Sequence, residues 1–351
     1  MGVGVLERIG RSGGEGVYIA TDQDVGLEAI IAIHSTRLGP ALGGTRFWDY
    51  DSFDAALEDV LRLSQAMTYK AAAADLPLGG GKAVIAGDPE SVKSEELLEA
   101  YGRAVDALGG RYVTAEDVGT TVKDMTVVHR STPHVSGLPI AQGGSGDPSP
   151  ATAHGVLAAM RSVADHLWGG TDLQGRRIAI QGVGKVGSTL AHLLEGEGCD
   201  LVVGDVVDEA AEMQAARVGA QVVAAGELQE QACDIFAPCA LGGVLNAWTI
   251  PTLDCAAIVG SANNQLAEDS DAERLVARGI LYAPDFVVNA GGIINIAEEL
   301  HPDGYSEERA RTRVALIGET TSRVLASAFD GGVTTLAAAR AIAEERLLVV
   351  T

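Results

Sequence analysis

The chain has 351 residues, 47% hydrophobic, with 25 Lys and Arg against 48 Asp and Glu, a formal net charge of −23. Such a length allows two domains, and such an apolar share excludes general disorder. The acidic excess repels nucleic acid and anionic membrane surfaces, so neither is expected as a partner, and a site for an anion must bring its own cations.

In chain order, "LEAIIAIHS" (residues 27–35) reads as a buried strand. "SFDAALEDVLRLSQAMTYKAAAA" follows with Ala56, Val60, Leu63 and Met67 at helical spacing. "PLGGGKAVI" places three glycines directly before Lys82, ahead of a strand expected over "AVIAG". Each glycine costs about 0.5–1 kcal/mol relative to alanine, so close approach to this backbone is expected, with Lys82 beside it. Ser94 is positioned to cap a helix over "EELLEAYGRAVDAL", and "GGRYVTAEDVGT" reads as turn, short strand and loop. Glycine, proline and serine crowd residues 142–150, and the domain boundary is expected there.

Beyond that boundary comes a helix over "ATAHGVLAAMRSVADHL", then strand, glycine turn, helix and strand over "RRIAIQGVGKVGSTLAHLLEGEGCDLVVGDV". Short apolar runs ("AQVVA", "CDIFAPCA", "AAIVGSA", "GILYAP") alternate with helical or loop segments to a helical C-terminal part. This predicts a mostly parallel, doubly wound sheet. The expected class is α/β in two domains: an N-terminal α/β substrate and oligomerisation domain over 1–145, and a Rossmann-type domain over 146–330.

Cys199, Cys233, Cys239 and Cys255 form no C-x-x-C pair and are expected as buried thiols of a reducing compartment. The seven histidines make no ligand-spaced set, so no metal is expected. The sequence shows no signal peptide and no membrane-length apolar run, and a cytoplasmic location is the expectation.

Gly182-Val183-Gly184-Lys185-Val186-Gly187 matches G-x-G-x-x-G between strand and helix, with Asp205 ending the next strand. In that context the glycines serve the turn, the approach of a pyrophosphate and helix–strand packing. Asp205 is suited to ribose hydroxyls and would repel a 2′-phosphate, so the expected cofactor is NAD. In the first part, a P-loop reading of Lys82 fails, because Leu76 and Ala83 stand where glycine and a hydroxyl are needed. Two lysines near glycine turns, Lys70 and Lys82, can instead hold an anion and polarise a carbonyl. Asp117, just past a strand, can carry protons.

"HSTRLGPALGGTRF", "MTYK", "LPLGGGKAV", "TAEDVGTT", "GDPSPATAHGV", "IQGVGKVG", "DIFAPCALGG", "GSANNQL" and "GILYAPDFVVNAGGIINIAEEL" stand in one order along the chain. In these motifs the sequence resembles the leucine, valine, phenylalanine and glutamate dehydrogenases, above all the branched-chain members. The resemblance implies reversible NAD-dependent oxidative deamination of an L-amino acid to a 2-oxo acid and ammonia, in a cleft between two domains, by a homo-oligomer. It implies that Lys70 pairs with the substrate carboxylate, that Lys82 activates water and polarises the reacting carbon's oxygen, and that Asp117 moves protons to and from the amine. It further implies cofactor contacts from Thr152, Cys239, Ala240, Asn263 and Asn264, with Asn289 near the substrate. The C-terminal helices, about 331–351, are expected to return to the first domain.

The implied side-chain pocket is Leu42, Gly43, Met67, Ala115, Ile293 and Ile296. Glutamate enzymes of the family carry lysine where Leu42 stands, so a dicarboxylate would leave a carboxylate unpaired. Ala115 stands where phenylalanine enzymes tend to have glycine, so a smaller aliphatic chain is expected. Leucine, valine and isoleucine remain undivided. The alternatives are an aromatic amino-acid dehydrogenase and a non-catalytic NAD-binding regulatory protein.

Overall fold

The computed structural model describes residues 5–9 and 14–349, which divide into two compact units. One comprises the described residues up to Asp147, Ile296–Glu307 and those from Ala343 onward. The other comprises Pro148–Asn295 and Glu308–Ile342.

The first unit is built on a six-stranded mixed sheet. Its strands are β1 (Val5–Ile9), β2 (Gly16–Asp22), β3 (Leu27–Ser35), β4 (Ala41–Trp48), β5 (Gly79–Ala86) and β6 (Tyr112–Glu116), in the order β1-β2-β3-β5-β4-β6. Pairing is antiparallel from β1 to β5, and β4 runs parallel to both β5 and β6. Helix α1 (Phe53–Ala73) covers one face. The short α2 (Pro89–Val92) is followed by α3 (Glu95–Asp106) and α4 (Val122–His129), which pack on the other. Ser52 caps α1 and Ser94 caps α3 through side-chain oxygens, so both helices begin where unpaired amides find acceptors.

Strand alternation divides the core. Ala83, Ile85, Phe47 and Tyr112 join Leu97, Tyr101 and Met125 on the α3–α4 side, while Val84, Ile30 and Ala32 meet Ala56 and Val60 of α1. β5 begins at Gly79, not after Lys82, so the three glycines lie in the strand itself. A Cβ at Gly79 would sit 1.9 Å from the Ser35 carbonyl oxygen, and one at Gly80 would sit 2.1 Å from the Thr68 nitrogen. The glycines are therefore required by the protein's own packing: the close approach expected at this backbone is made by Ser35 and Thr68.

The second unit has six strands: β7 (Arg177–Gln181), β8 (Asp200–Gly204), β9 (Gln221–Val222), β10 (Cys233–Pro238), β11 (Cys255–Ile258) and β12 (Leu281–Tyr282). All pair in parallel, in the order β12-β11-β10-β7-β8-β9. This is the dinucleotide-fold order, whose switch point lies between β7 and β10. The unit also holds α5 (Ser149–Trp168), α6 (Lys185–Gly196), α7 (Asp208–Val218), α8 (Asp271–Ala277) and α9 (Asp285–Val288). α10 (Gly291–Ala297) runs across the division at residue 295, α11 (Glu307–Gly331) belongs to the second unit apart from Glu307, and α12 (Thr335–Val349) passes into the first at Ala343. None of the described helices is long and apolar enough to cross a membrane.

The four cysteines are free and only partly buried, a correction to the buried thiols expected. Burial still pushes the Cys199, Cys233 and Cys255 thiols up to about 12, so they stay protonated and unreactive at neutral pH.

Gly80→Ala is expected to destabilise the fold by about 3 kcal/mol or more, because the new methyl must displace the α1 backbone rather than a flexible side chain. Gly26→Ala, where a Cβ meets nothing within 4 Å, is expected to cost less despite its φ of +71°. Urea unfolding of both variants provides the comparison.

Candidate active site

The register of the first sheet puts a set of chemical side chains on one face. Leu42 and Gly44 of β4 lie opposite Val113 and Ala115 of β6, and Arg46 of β4 lies opposite Val84 of β5. Residues two apart share a face. Lys82 therefore points to the α1 side with Val84, and Leu42, Arg46 and Ala115 share that side.

Asp117 continues the alternation one step past the end of β6, and its Oδ2 lies 2.5 Å from Lys82 Nζ. Lys82 is only 6% exposed, and a lysine so placed needs a partner. Gly44 makes room for this pair: a Cβ there would lie 2.9 Å from that of Asp117. Burial raises the Asp117 carboxyl's affinity for a proton. The adjacent Lys82 charge and hydrogen bond, with Arg46 behind them, outweigh it and hold its pKa below the ordinary value.

The loop that presents Asp117 is fixed locally. Its backbone N–H donates to Thr120 Oγ1 at 2.9 Å, while the Thr120 hydroxyl donates to the Thr45 carbonyl at 2.8 Å. Gly119 has φ +79°, and a Cβ there would meet the Phe47 carbonyl oxygen at 1.9 Å. The sequence "EDVGT" is thus a turn that locks onto β4 and aims one carboxylate.

Met67 and Lys70 occupy the last two turns of α1, both half-buried. The helix end is held by Arg346, whose guanidinium donates to the carbonyls of Ala72 and Leu76 at 2.9 Å each and pairs with Asp75. Leu42 and Ala115 are buried. Gly43 faces the other side, where its carbonyl accepts from Tyr112 at 2.6 Å, so it offers backbone rather than a wall to an α1-side pocket. Of the two remaining pocket residues, Ile293 belongs to the second unit and Ile296 to the first.

In the second unit the glycine motif has the expected geometry. Gly182 adopts φ +94° and its Cβ would collide with Ala240; a Cβ on Gly187 would lie 1.9 Å from the Gly182 carbonyl oxygen and 3.4 Å from the Cys239 Cβ. Above Gly184, the N-cap of α6, the space is open and no side chain caps the helix. The first amides of α6, from Lys185 onward, can thus receive an anion.

Asp205 stands just past β8, but its carboxylate already accepts from Val183 N at 2.8 Å and Val207 N at 3.0 Å. It therefore shapes its own loop as well as offering its remaining lone pairs outward. The Asn289 amide donates to the Ser261 carbonyl at 3.2 Å and to Asn263 Oδ1 at 2.9 Å, and its buried Oδ1 has no hydrogen-bond partner. Asn264 sits beside this group with φ +51°. Thr152 lies on α5 against Gly292, where a Cβ would be 2.9 Å from its Oγ1. The open Gly184 turn and the unpartnered Asn289 oxygen both fit a dinucleotide.

Residues 16–134 match the model of the Glu/Leu/Phe/Val dehydrogenase dimerisation domain, and residues 143–209 and 202–348 match that of the Glutamate/Leucine/Phenylalanine/Valine dehydrogenase domain. The chain belongs to this family. It is 50% identical to the leucine dehydrogenase of Bacillus cereus over 333 residues, 95% of this chain and 90% of that one. It is 48% identical to the valine dehydrogenase of Streptomyces virginiae, covering 98% and 97%. Among solved structures, the L-tryptophan dehydrogenase of Nostoc punctiforme is similar with a TM-score of 0.85 and 42% identity, over 96% and 97% of the two chains. The chain is thus an amino-acid dehydrogenase, and in it Lys82 and Asp117 form an ion pair.

Sequence reasoning missed Arg46, Asp59, Tyr50 and Thr120. Arg46 carried a signal: it lies two and four residues from Gly44 and Leu42, hence on the same face. Its partners on α1 could be found only with the helix docked.

A stability consequence follows from Asp117. Because folding lowers its pKa, the pairing stabilises the protein fully above the unfolded carboxylate value, about 3.9, and is lost as pH falls through the folded value. Asp117→Asn is expected to be less stable than the parent at pH 6, the gap closing toward pH 3, as measured by urea unfolding at each pH.

Proposed function

We propose that the protein catalyses the reversible NAD-dependent oxidative deamination of branched-chain aliphatic L-amino acids, giving the 2-oxo acid and ammonia. The observation that carries this reading is the contact between Lys82 and Asp117, on a sheet face shared with buried Leu42 and Ala115.

On this reading Lys70 binds the substrate carboxylate. Asp117, ionised at neutral pH, accepts a proton from the substrate ammonium. Lys82, partnered by Asp117, polarises the oxygen that forms on the reacting carbon and orients the water that supplies it. Bound NAD would supply the acceptor for hydride from the α carbon. Gly182, Gly184, Lys185 and Gly187 would hold its pyrophosphate, Asp205 its adenosine ribose, and Thr152, Asn263 and Asn264 its nicotinamide half. The unpartnered Asn289 oxygen would receive a donor from the substrate or that half. The first unit would act as the substrate and oligomerisation domain and the second as the NAD-binding domain of a homo-oligomer, in keeping with the dimerisation-domain match.

Leu42 supports the substrate class: buried and apolar, it offers no partner to a distal carboxylate. Among aliphatic substrates one methylene changes the barrier by only about 1–3 kcal/mol. An aromatic preference is the second reading, favoured by the similarity to a tryptophan dehydrogenase.

An amino-acid panel followed by NADH absorbance is expected to give the highest kcat/KM with leucine, valine or isoleucine; predominant activity on phenylalanine, tryptophan or glutamate would sink the substrate assignment. Lys82→Met and Asp117→Asn should each lose about 10²–10⁴-fold in kcat/KM while NADH binding, read by fluorescence, persists.

A further inference from the structure

The Lys82–Asp117 pair is not isolated. Arg46 Nε lies 3.5 Å from the same Asp117 Oδ2 that meets Lys82, and Arg46 Nη1 donates to Asp59 Oδ2 on α1 at 2.8 Å. Asp59 Oδ2 also accepts from the Tyr50 hydroxyl at 2.7 Å, and its Oδ1 accepts from Arg62 at 3.0 Å. Charges thus alternate from β5 to α1: Lys82, Asp117, Arg46, Asp59, Arg62. The Arg46 Nε is buried and has no hydrogen-bond acceptor, so Asp117 at ion-pair distance is its electrostatic partner.

We propose that Arg46 is a positioning residue for the reaction, a two-ended clamp that holds Asp117 on the sheet face through Nε and is itself anchored to α1 through Asp59. Nothing in the reaction scheme above uses Arg46, and the proposal rests on that scheme only for the role of Asp117. A planar guanidinium can address two carboxylates from two nitrogens in fixed directions, which a single ammonium cannot.

The charged and titratable groups around Asp117 are Lys82 from β5, Arg46 from β4, Asp59 and Tyr50 behind Arg46, and Glu116 preceding it in the chain. Lys82 is a group the chemistry must move and reorganise. A second cation, tied to α1 through Asp59, keeps Asp117 ionised while Lys82 engages substrate. The anchor on α1 has a further effect, since the same helix carries Met67 and Lys70 at its other end. Arg46 therefore fixes the carboxylate relative to the helix that presents the expected substrate lysine.

The test reads Asp117 directly. Protein labelled with ¹³C at aspartate carboxyl carbons is titrated by NMR, the Asp117 signal being assigned by its loss in Asp117→Asn. In Arg46→Gln the Asp117 midpoint is expected to rise by about half a pH unit or more, and the acid limb of the kcat/KM profile to move up with it, while the KM for NAD stays near that of the parent. Arg46→Lys is expected to recover part of the shift. If Arg46→Gln does not fold, Asp59→Asn keeps Arg46 and frees only its far end; a smaller rise is expected there. An Asp117 midpoint unmoved in folded Arg46→Gln, or in Asp59→Asn where that is the variant available, overturns the clamp. A midpoint that rises in a protein that oxidises no amino acid supports the clamp and sinks the dehydrogenase reading instead.

Discussion

A lysine and an aspartate facing each other 2.5 Å apart over a sheet, the lysine only 6% exposed, set the terms for the first unit. Neither charge could be held there alone, because an unpaired buried ion costs several kcal/mol. Everything nearby serves to bring the two within reach. β4 lies between the strand that carries Lys82 and the strand that leads into Asp117, and it has glycine at the point where a side chain would push the carboxylate away. Thr120 and Gly119 then fasten the Asp117 loop to β4. The glycines before Lys82 belong to the same construction, since they let α1 and the neighbouring strands close on β5 without a side chain between.

The second unit uses glycine differently. Gly182 and Gly187 are excluded from carrying side chains by the chain's own turn, whereas Gly184 is excluded by nothing within the protein. The space above Gly184, the helix start without a side-chain cap and the unpartnered Asn289 oxygen are the polar features the proposed NAD site would use. Asp205 shows how one carboxylate can shape a site from behind as well as from within: by accepting from Val183 and Val207 it sets the path of the loop.

Local charge runs against the molecule's overall balance. The chain carries a formal −23, yet Lys82 and Arg46 converge on one aspartate, and Lys70 ends the helix packed on that sheet. On the proposed reading, a carboxylate-bearing substrate would otherwise meet net repulsion, and cations concentrated on one face would attract it at short range, where screening by salt is weakest. Leu42 and Ala115, buried on the same face, add apolar surface beside these charges.

The sequence by itself determined the α/β class, the strand–glycine–helix unit with Asp205 after it, and the helix start at Ser94, and it pointed to Lys82 and Asp117, which the structure brings into contact. These are legible because period, capping and motif spacing are local properties of the chain. Tertiary structure decided that Lys82 lies inside β5 rather than before a strand, that Gly79 and Gly80 are emptied for Ser35 and Thr68, and that Gly43 turns away from its expected pocket neighbours. It also decided that Arg46 stands between Asp117 and Asp59. Those facts depend on which strands become neighbours and in what register, and β4 meets β5 and β6 only after long excursions of chain. No local pattern encodes such a meeting; it is settled by which arrangement buries both sheet faces while pairing the buried charges, as Lys82 is paired with Asp117.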